Sequence, residues 1–376
     1  MGTQKKHILI IAGEASGDTR AAELVSAIKI LSPNTSFSGV GGDGMRACGV
    51  TLFDHITSLA VIGIVEVLKN IGRIKKVFDN ILLEVDKQKP DAAILVDYPG
   101  FNLRLAGELK KRSIKVIYYV SPQVWAWREG RIDRIKKIVD RMIVFFPFEK
   151  ELYARHGMNV DCVGHPLVDE IHITRQAIDV LKSIGLKTKD AVTIGLMPGS
   201  RQKEIERHLP VMLEAAKKLY EQDHRRQFLL LKAPTIPRDL LEGALPSELP
   251  VKIYEGNSHD GINAMDAAIV ASGTATLETA LLNVPMVVIY KTSWLTYAIA
   301  KNVIKIPYIG LVNVVAGKKI VPELIQNDCH PTLIAQNVES ILKDPGMIDE
   351  LQKLRTILGA PGASHRAAAI VVEEIN

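Results

Sequence analysis

Three short stretches of this chain carry groups that could hold or move charge. In Pro198-Gly-Ser-Arg-Gln-Lys-Glu204, small residues stand beside an arginine. Backbone N–H groups at Gly199 and Ser200 can approach an anion there, and the Arg201 guanidinium offers a fixed fork for a phosphate. Glu204 closes the same stretch. In Ala271-Ser-Gly-Thr-Ala-Thr-Leu-Glu-Thr-Ala-Leu-Leu282, Ser272, Gly273, Thr274, Ala275 and Thr276 stand where a helix starts. A helix start has unpaired N–H groups and a partial positive charge, which suits a phosphate. Glu278, at the start of the same helix, can accept from a sugar hydroxyl. Asp97-Tyr-Pro-Gly-Phe-Asn102 sets a carboxylate just past an apolar strand, the place for a general base. Each stretch also has a plain reading: an N-cap, a solvated arginine, an Asp-x-Pro turn. Two phosphate-compatible turns in one half of the chain point to a diphosphate held without a dedicated metal cage.

Other motifs add less. Gly39-Val-Gly-Gly-Asp-Gly44 matches a dinucleotide fingerprint but follows the second strand rather than the first, with no acidic residue at the required distance. It reads better as a tight turn lining a cleft. Tyr119-Val-Ser-Pro-Gln-Val-Trp-Ala-Trp-Arg128 brings Ser121, Trp125, Trp127 and Arg128 together, aromatic faces and a cation of the kind found in sugar clefts. Its plain reading is a core tryptophan pair. Val61 to Phe78 is basic and amphipathic, with Val61, Ile64, Val67, Leu68 and Ile71 among Lys69, Arg73 and Lys76. Such a helix can lie on an anionic membrane or simply pack on a sheet. There is no metal-ligand spacing and no G-x-S-x-G elbow.

These residues need a scaffold that presents loops at strand ends. His7 to Ala12 is a short apolar strand, followed by Gly13-Glu-Ala-Ser-Gly-Asp18 and a helical pattern from Ala21 to Leu31. Strand-like runs recur at 36–40, 92–96, 116–120 and 142–145, with helical stretches between them. A second series begins with Val192 to Met197 and continues through 227–232, 251–254, 267–270 and 286–290, which finishes the sheet. Alternating strands and helices imply parallel sheets covered on both faces. The expected architecture is α/β with two domains: residues 1–186, joined by a last helix at 359–376, and residues 187–358.

Composition sets the limits. At 376 residues the chain is long enough for two domains, and 47% hydrophobic with 24% charged residues is ordinary for a soluble protein. A net charge of +5 without a basic tail does not indicate nucleic acid. Cys48, Cys162 and Cys329 are far apart, which argues for a reducing compartment. No run is long and apolar enough to span a bilayer, and the first residues lack an apolar signal core.

Taken in order, the motifs resemble one family. Gly13-Glu-Ala-Ser-Gly-Asp18, Gly41-Gly-Asp-Gly-Met45, Asp97-x-Pro-x-Phe-Asn102, Val120-Ser-Pro-x-Val-Trp-Ala-Trp-Arg128, Phe146-Pro-Phe-Glu149, Val163-Gly-His-Pro-Leu167, Pro198-Gly-Ser-Arg201 and Ser272-Gly-Thr-Ala-Thr-Leu-Glu278 resemble the lipid-A-disaccharide synthases. These are inverting glycosyltransferases with two Rossmann-like domains facing across a cleft (GT-B type). The likeness runs from about residue 7 to about residue 326.

The resemblance implies transfer of 2,3-diacylglucosamine from its UDP derivative to 2,3-diacylglucosamine 1-phosphate, giving a β-1,6 disaccharide 1-phosphate and UDP. It implies no metal or other cofactor, a cytoplasmic protein at the surface of the inner membrane, and a homodimer with exchanged C-termini as one arrangement open to the family. It casts Asp97 as base, with Glu14 and Asp18 as rivals because Gly100 stands where some relatives carry an acid. Arg201 and the 272–276 N–H groups would hold the diphosphate, and Glu278 the ribose. Asn313 would touch sugar or phosphate. Glu14, Ser16, Gly17, Asp18, Asn102, Ser121, Trp125, Trp127 and Arg128 would shape the acceptor side, and the basic helix would meet acyl chains or membrane. A UDP-sugar 2-epimerase of the same fold, or a non-catalytic UDP- or lipid-binding module, are the competing readings.

Overall fold

The computed structural model describes residues 5–58, 71–127, 129–294, 297 and 306–376. The chain divides into two compact units, Met1–Pro166 with Ala360–Asn376, and Leu167–Gly359.

The sheet of the first unit contains β1 (His7–Ala12), β2 (Ser36–Gly41), β3 (Thr51–His55), β4 (Ala92–Val96), β5 (Lys115–Tyr119), β6 (Arg141–Val144) and β7 (Asp161–Cys162). Their order is β3-β2-β1-β4-β5-β6-β7, and every pairing is parallel. The central strands are continuous apolar runs because helices cover both faces; Ala92 to Val96 is wholly buried. Strand order reverses direction between β1 and β4, where Ala12 pairs with Val96. In an open parallel sheet, ligands collect beyond the carboxyl ends of strands at such a switch. Glu14 and Asp97 follow those two strand ends.

In the second unit the strands are β8 (Val192–Met197), β9 (Arg226–Leu231), β10 (Val251–Tyr254), β11 (Ala267–Ala271), β12 (Met286–Tyr290) and β13 (Glu323–Ile325). The order is β10-β9-β8-β11-β12-β13, again all parallel. The switch lies between β8 and β11, so Pro198–Arg201 and Ser272–Glu278 leave neighbouring strand ends. Edge strands β3, β7 and β13 escape the sequence reading. They are short and lack a buried apolar run, so the second sheet does not finish at β12.

The first boundary falls at Pro166–Leu167 rather than at 186–187. Residues 167–186 belong to the second unit because side chains there hold them. The Asp260 carboxylate accepts from Thr174 N (2.7 Å) and Thr174 Oγ1 (2.6 Å), and Gln227 Oε1 accepts from Lys187 N (2.8 Å). The last helix, Ala363–Ile375, packs along the first helix, Ala15–Leu31. Arg366 reinforces that return by donating to the carbonyls of Val163 (2.9 and 2.6 Å), Pro361 (2.7 Å) and Ala360 (2.6 Å).

Candidate active site

In the second unit the two turns expected to hold phosphate line one cavity of about 480 Å³. Gly199, Ser200, Arg201 and Glu204 form one wall, and Ser272, Gly273, Thr274, Ala275 and Glu278 another. The N–H groups of Gly199, Gly273, Thr274 and Ala275 find no hydrogen-bond partner among the described residues. Gly199 has φ +123°, a backbone conformation that side chains disfavour, so glycine is required to make this turn. Ser200 N donates to Glu204 Oε2 (3.0 Å), and Thr235 Oγ1 to Ser200 O (2.6 Å). Arg201 is mostly exposed beside Glu204 at 3.5 Å. The cavity therefore offers a cradle of open backbone donors and a guanidinium, suited to a polyanion.

Two expected members leave the site. Thr276 is fully buried, its hydroxyl donating to Gly273 O (2.8 Å). Asn313 is 0% exposed. Its Nδ2 donates to Val321 O (2.9 Å) and Glu323 Oε1 (2.8 Å), while its Oδ1 accepts from Ile320 N (2.8 Å) and Val321 N (3.0 Å). All four of its hydrogen-bonding positions are occupied, so it braces the loop instead of touching a ligand.

Two residues were missed. Lys232 lines the cavity from the end of β9 and pairs with Glu255 at 3.6 Å; a lysine directly after a six-residue buried strand was the available signal. Glu323 accepts from Ile309 N (2.9 Å) and Gly310 N (3.0 Å), and Ser272 Oγ donates to Ile309 O (3.1 Å). These bonds seat the Ser272 turn against the 309–310 backbone.

In the first unit, Asp97 and Tyr98 both take left-handed conformations, φ +45° and +47°. Val120, at the end of the next strand, has φ +68°, an outlier for a β-branched residue. Each such residue costs on the order of 1–3 kcal/mol and persists only where its surroundings hold it. Asn102 Nδ2 donates to Asp97 O (2.8 Å) and Val96 O (3.1 Å), and Tyr118 Oη to Asp97 O (2.6 Å). The Asp97 carboxyl is pushed up to about 6, by burial first and then by the negative charge of Glu14. A half-buried carboxylate that titrates near neutrality suits a general base. Glu14 and Ser16 are exposed at the start of the first helix.

Several expected acceptor-side residues turn inward. The Asp18 carboxylate, 7% exposed, accepts from Gly42 N (2.6 Å), Gly44 N (2.9 Å) and Met45 N (3.2 Å). It is thereby removed as a rival base. A β-carbon at Gly42 or Gly44 would lie 2.6 or 2.8 Å from that carboxylate. Gly42 and Gly44, in the glycine run at 39–44, are thus the other half of the Asp18 contact. Gly17 is buried against Ala12 and Val96. Asn102 is fully buried and supports the Asp97 backbone. Ser121 is buried, with Oγ 2.9 Å from Tyr153 Oη and 3.0 Å from Pro122 O. Trp125 is half-buried and sets its ring edge-on against Phe148 at 5.4 Å, which is the core reading for that tryptophan alone.

Arg128 and the side chain of Trp127 lie outside the described residues, as do Val61, Ile64, Val67, Leu68 and Lys69. From Ile71 the basic stretch continues as a helix to Gln88 that buries Val77, Ile81 and Val85. Ile71 is 60% exposed, and Lys76 is also exposed. Arg73 donates to Thr57 O (3.0 Å). No described helix is long and apolar enough to cross a membrane. Among the described residues, no group of three or more His, Cys, Asp or Glu could hold a metal ion.

The family model for lipid-A-disaccharide synthetase matches residues 8–368. The chain belongs to that family. It is 45% identical over 373 residues to a lipid-A-disaccharide synthase of Syntrophus aciditrophicus, covering 98% of this chain and 97% of the relative. It is 44% identical over 371 residues to one of Geobacter sulfurreducens, covering 97% and 96%. Among solved structures, it is similar to a putative UDP-N-acetylglucosamine 2-epimerase from Listeria monocytogenes, with TM-score 0.67, 13% identity, and 99% and 97% of the two chains covered. A glycosyltransferase of kitacinnamycin gives TM-score 0.67 at 13% identity with full coverage of both chains. Those two likenesses carry the fold, which glycosyltransferases and epimerases share. The family match separates them: the protein is a UDP-sugar glycosyltransferase of GT-B type.

Proposed function

We propose that this protein joins two acylated glucosamines by inverting transfer, with Asp97 as base and the second-unit cavity as the leaving-group site. Family membership supplies the reaction class, lipid A disaccharide synthesis. The observation that carries the assignment of parts is the cavity wall of open N–H groups at Gly199 and at Gly273 to Ala275, beside Arg201 and Lys232.

In this reading the 6-hydroxyl oxygen of diacylglucosamine 1-phosphate forms a bond to the anomeric carbon of UDP-diacylglucosamine. The bond from that carbon to the diphosphate oxygen breaks, and the hydroxyl proton passes to the Asp97 carboxylate. The negative charge gathering on UDP meets backbone donors already oriented, which need no reorganisation during the step. Glu278, on the cavity wall, accepts from the ribose. Glu14 and Ser16 contact the acceptor. The scheme needs no metal.

Membrane contact through the basic segment from Val61 is part of the proposal, supported by exposed Ile71 beside Arg73, Lys75 and Lys76. A dimer with exchanged last helices is a further arrangement this reading allows. The deciding experiment is product analysis with both diacylated substrates. UDP release should require the acceptor and match disaccharide formed. UDP release without acceptor, or epimerisation of the donor alone, would sink the reading.

A further inference from the structure

On the reading that the second-unit cavity holds the diphosphate, we propose that His208 is a positioning residue that aims the Gly199 N–H at it. His208 lies on the helix Gln202–Gln222 and is 1% exposed. Its Nδ1 is 2.9 Å from Pro198 O, and its Nε2 is 3.0 Å from Lys291 N. A carbonyl can only accept and a backbone N–H can only donate. The ring therefore carries its proton on Nδ1, donates to Pro198, and accepts from Lys291 at a bare Nε2.

Across a trans peptide, the C=O and the following N–H point in opposite directions. Holding the Pro198 carbonyl on the helix side turns the Gly199 N–H the other way, and that N–H is one of the open donors of the cavity-lining turn. The remaining anchors of the turn, Thr235 on Ser200 O and Glu204 on Ser200 N, leave the Gly199 donor unblocked. The same imidazole ties the turn to the end of β12, where Tyr290 packs against the ring at 6.0 Å between centroids. Separately, burial holds the His208 pKa below the usual histidine range, in keeping with a neutral ring that both donates and accepts.

The test titrates UDP and uridine into the wild-type protein and into the variants Lys232→Ala, His208→Phe and His208→Gln. Phenylalanine keeps the ring shape without polar ends, and glutamine restores one donor and one acceptor. UDP affinity of H208F should fall tenfold or more while uridine affinity stays within about twofold, and H208Q should recover most of the loss. The proposal is overturned if folded H208F binds UDP like wild type, or loses UDP and uridine equally. If H208F does not fold, nitrogen-15 NMR of the wild-type imidazole decides: a proton on Nδ1 supports the proposal, and one on Nε2 overturns it. A wild-type protein that binds UDP no tighter than uridine, with K232A unchanged, brings down the cavity reading itself. Normal K232A sensitivity with H208F unaffected removes only the role of His208.

Discussion

The Asn102 side chain donates to the main-chain carbonyl of Asp97, five residues earlier, at 2.8 Å. The bond holds a residue that sits in a left-handed conformation at the end of a parallel strand. Removing the amide leaves the Val96 carbonyl without its side-chain donor and the Asp97 carbonyl with Tyr118 as its one side-chain donor among the described residues. Asn102→Ala should lower kcat at least tenfold and stability by about 1–3 kcal/mol. Steady-state kinetics with a urea titration checks both. A folded variant with wild-type kcat would show that the Asp97 conformation does not matter.

Partial burial and then the negative charge of Glu14 push the Asp97 carboxyl up to about 6. A base must be unprotonated, so activity should rise with pH through about 6. Glu14→Gln removes the repelling charge and should move that acid limb down by roughly half a unit to one unit. Asp97→Asn should abolish turnover while preserving UDP binding. Near-normal turnover in the folded asparagine variant would remove Asp97 as the base.

Lys232 is the cation that sequence reading overlooked. Lys232→Ala should raise KM for the UDP-sugar by about 10-fold to 100-fold, the loss of one charge-assisted contact. An unchanged KM would place Lys232 outside the diphosphate site.

Glu149 is buried, and its carboxyl is pushed up to about 7, chiefly by burial. Phe145 N and Phe146 N donate to Oε2 at 3.3 and 3.2 Å. Between its ordinary value of 4.5 and about 7, the folded state keeps a proton that the unfolded state has released. Stability should therefore be greatest below that window and decline as pH rises through it, by on the order of 3 kcal/mol. Glu149→Gln should flatten this dependence. Urea midpoints at pH 5 and pH 8 test it, and an equal slope in both proteins would contradict the assignment.

Asp18→Asn replaces one acceptor oxygen with a donor facing backbone N–H groups that also donate. The first unit should lose about 2–4 kcal/mol, while UDP binding by the second unit should be unchanged. Faster hydrogen exchange over residues 42–47 is the local readout.

The central strands were legible because strands covered on both faces are continuous apolar runs, as at 92–96 and 267–271. Edge strands such as Glu323–Ile325 carry no such mark. Motif spacing brought the turns at 198 and 272 to one cavity, since both follow neighbouring strands. Spacing could not tell a carboxylate that faces a ligand from one that caps a turn. Asp97 directly follows β4 and Asp18 lies in the first turn of the helix after β1, and only their partners show which of them caps a turn. The same holds for Asn313: a polar residue in a functional family invites a contact role, and its four bonds are visible only in three dimensions.

The packing of Ala363–Ile375 on Ala15–Leu31 has a consequence for biosynthesis. Translation completes the whole sequence of the second unit before it reaches Ala363, whereas the first helix must wait for that late segment to cover it. During synthesis the second unit can mature first, and the earliest part of the chain is the last to close. Released chains truncated after Gly359 should already bind UDP while leaving the flank of the first helix open to chaperones.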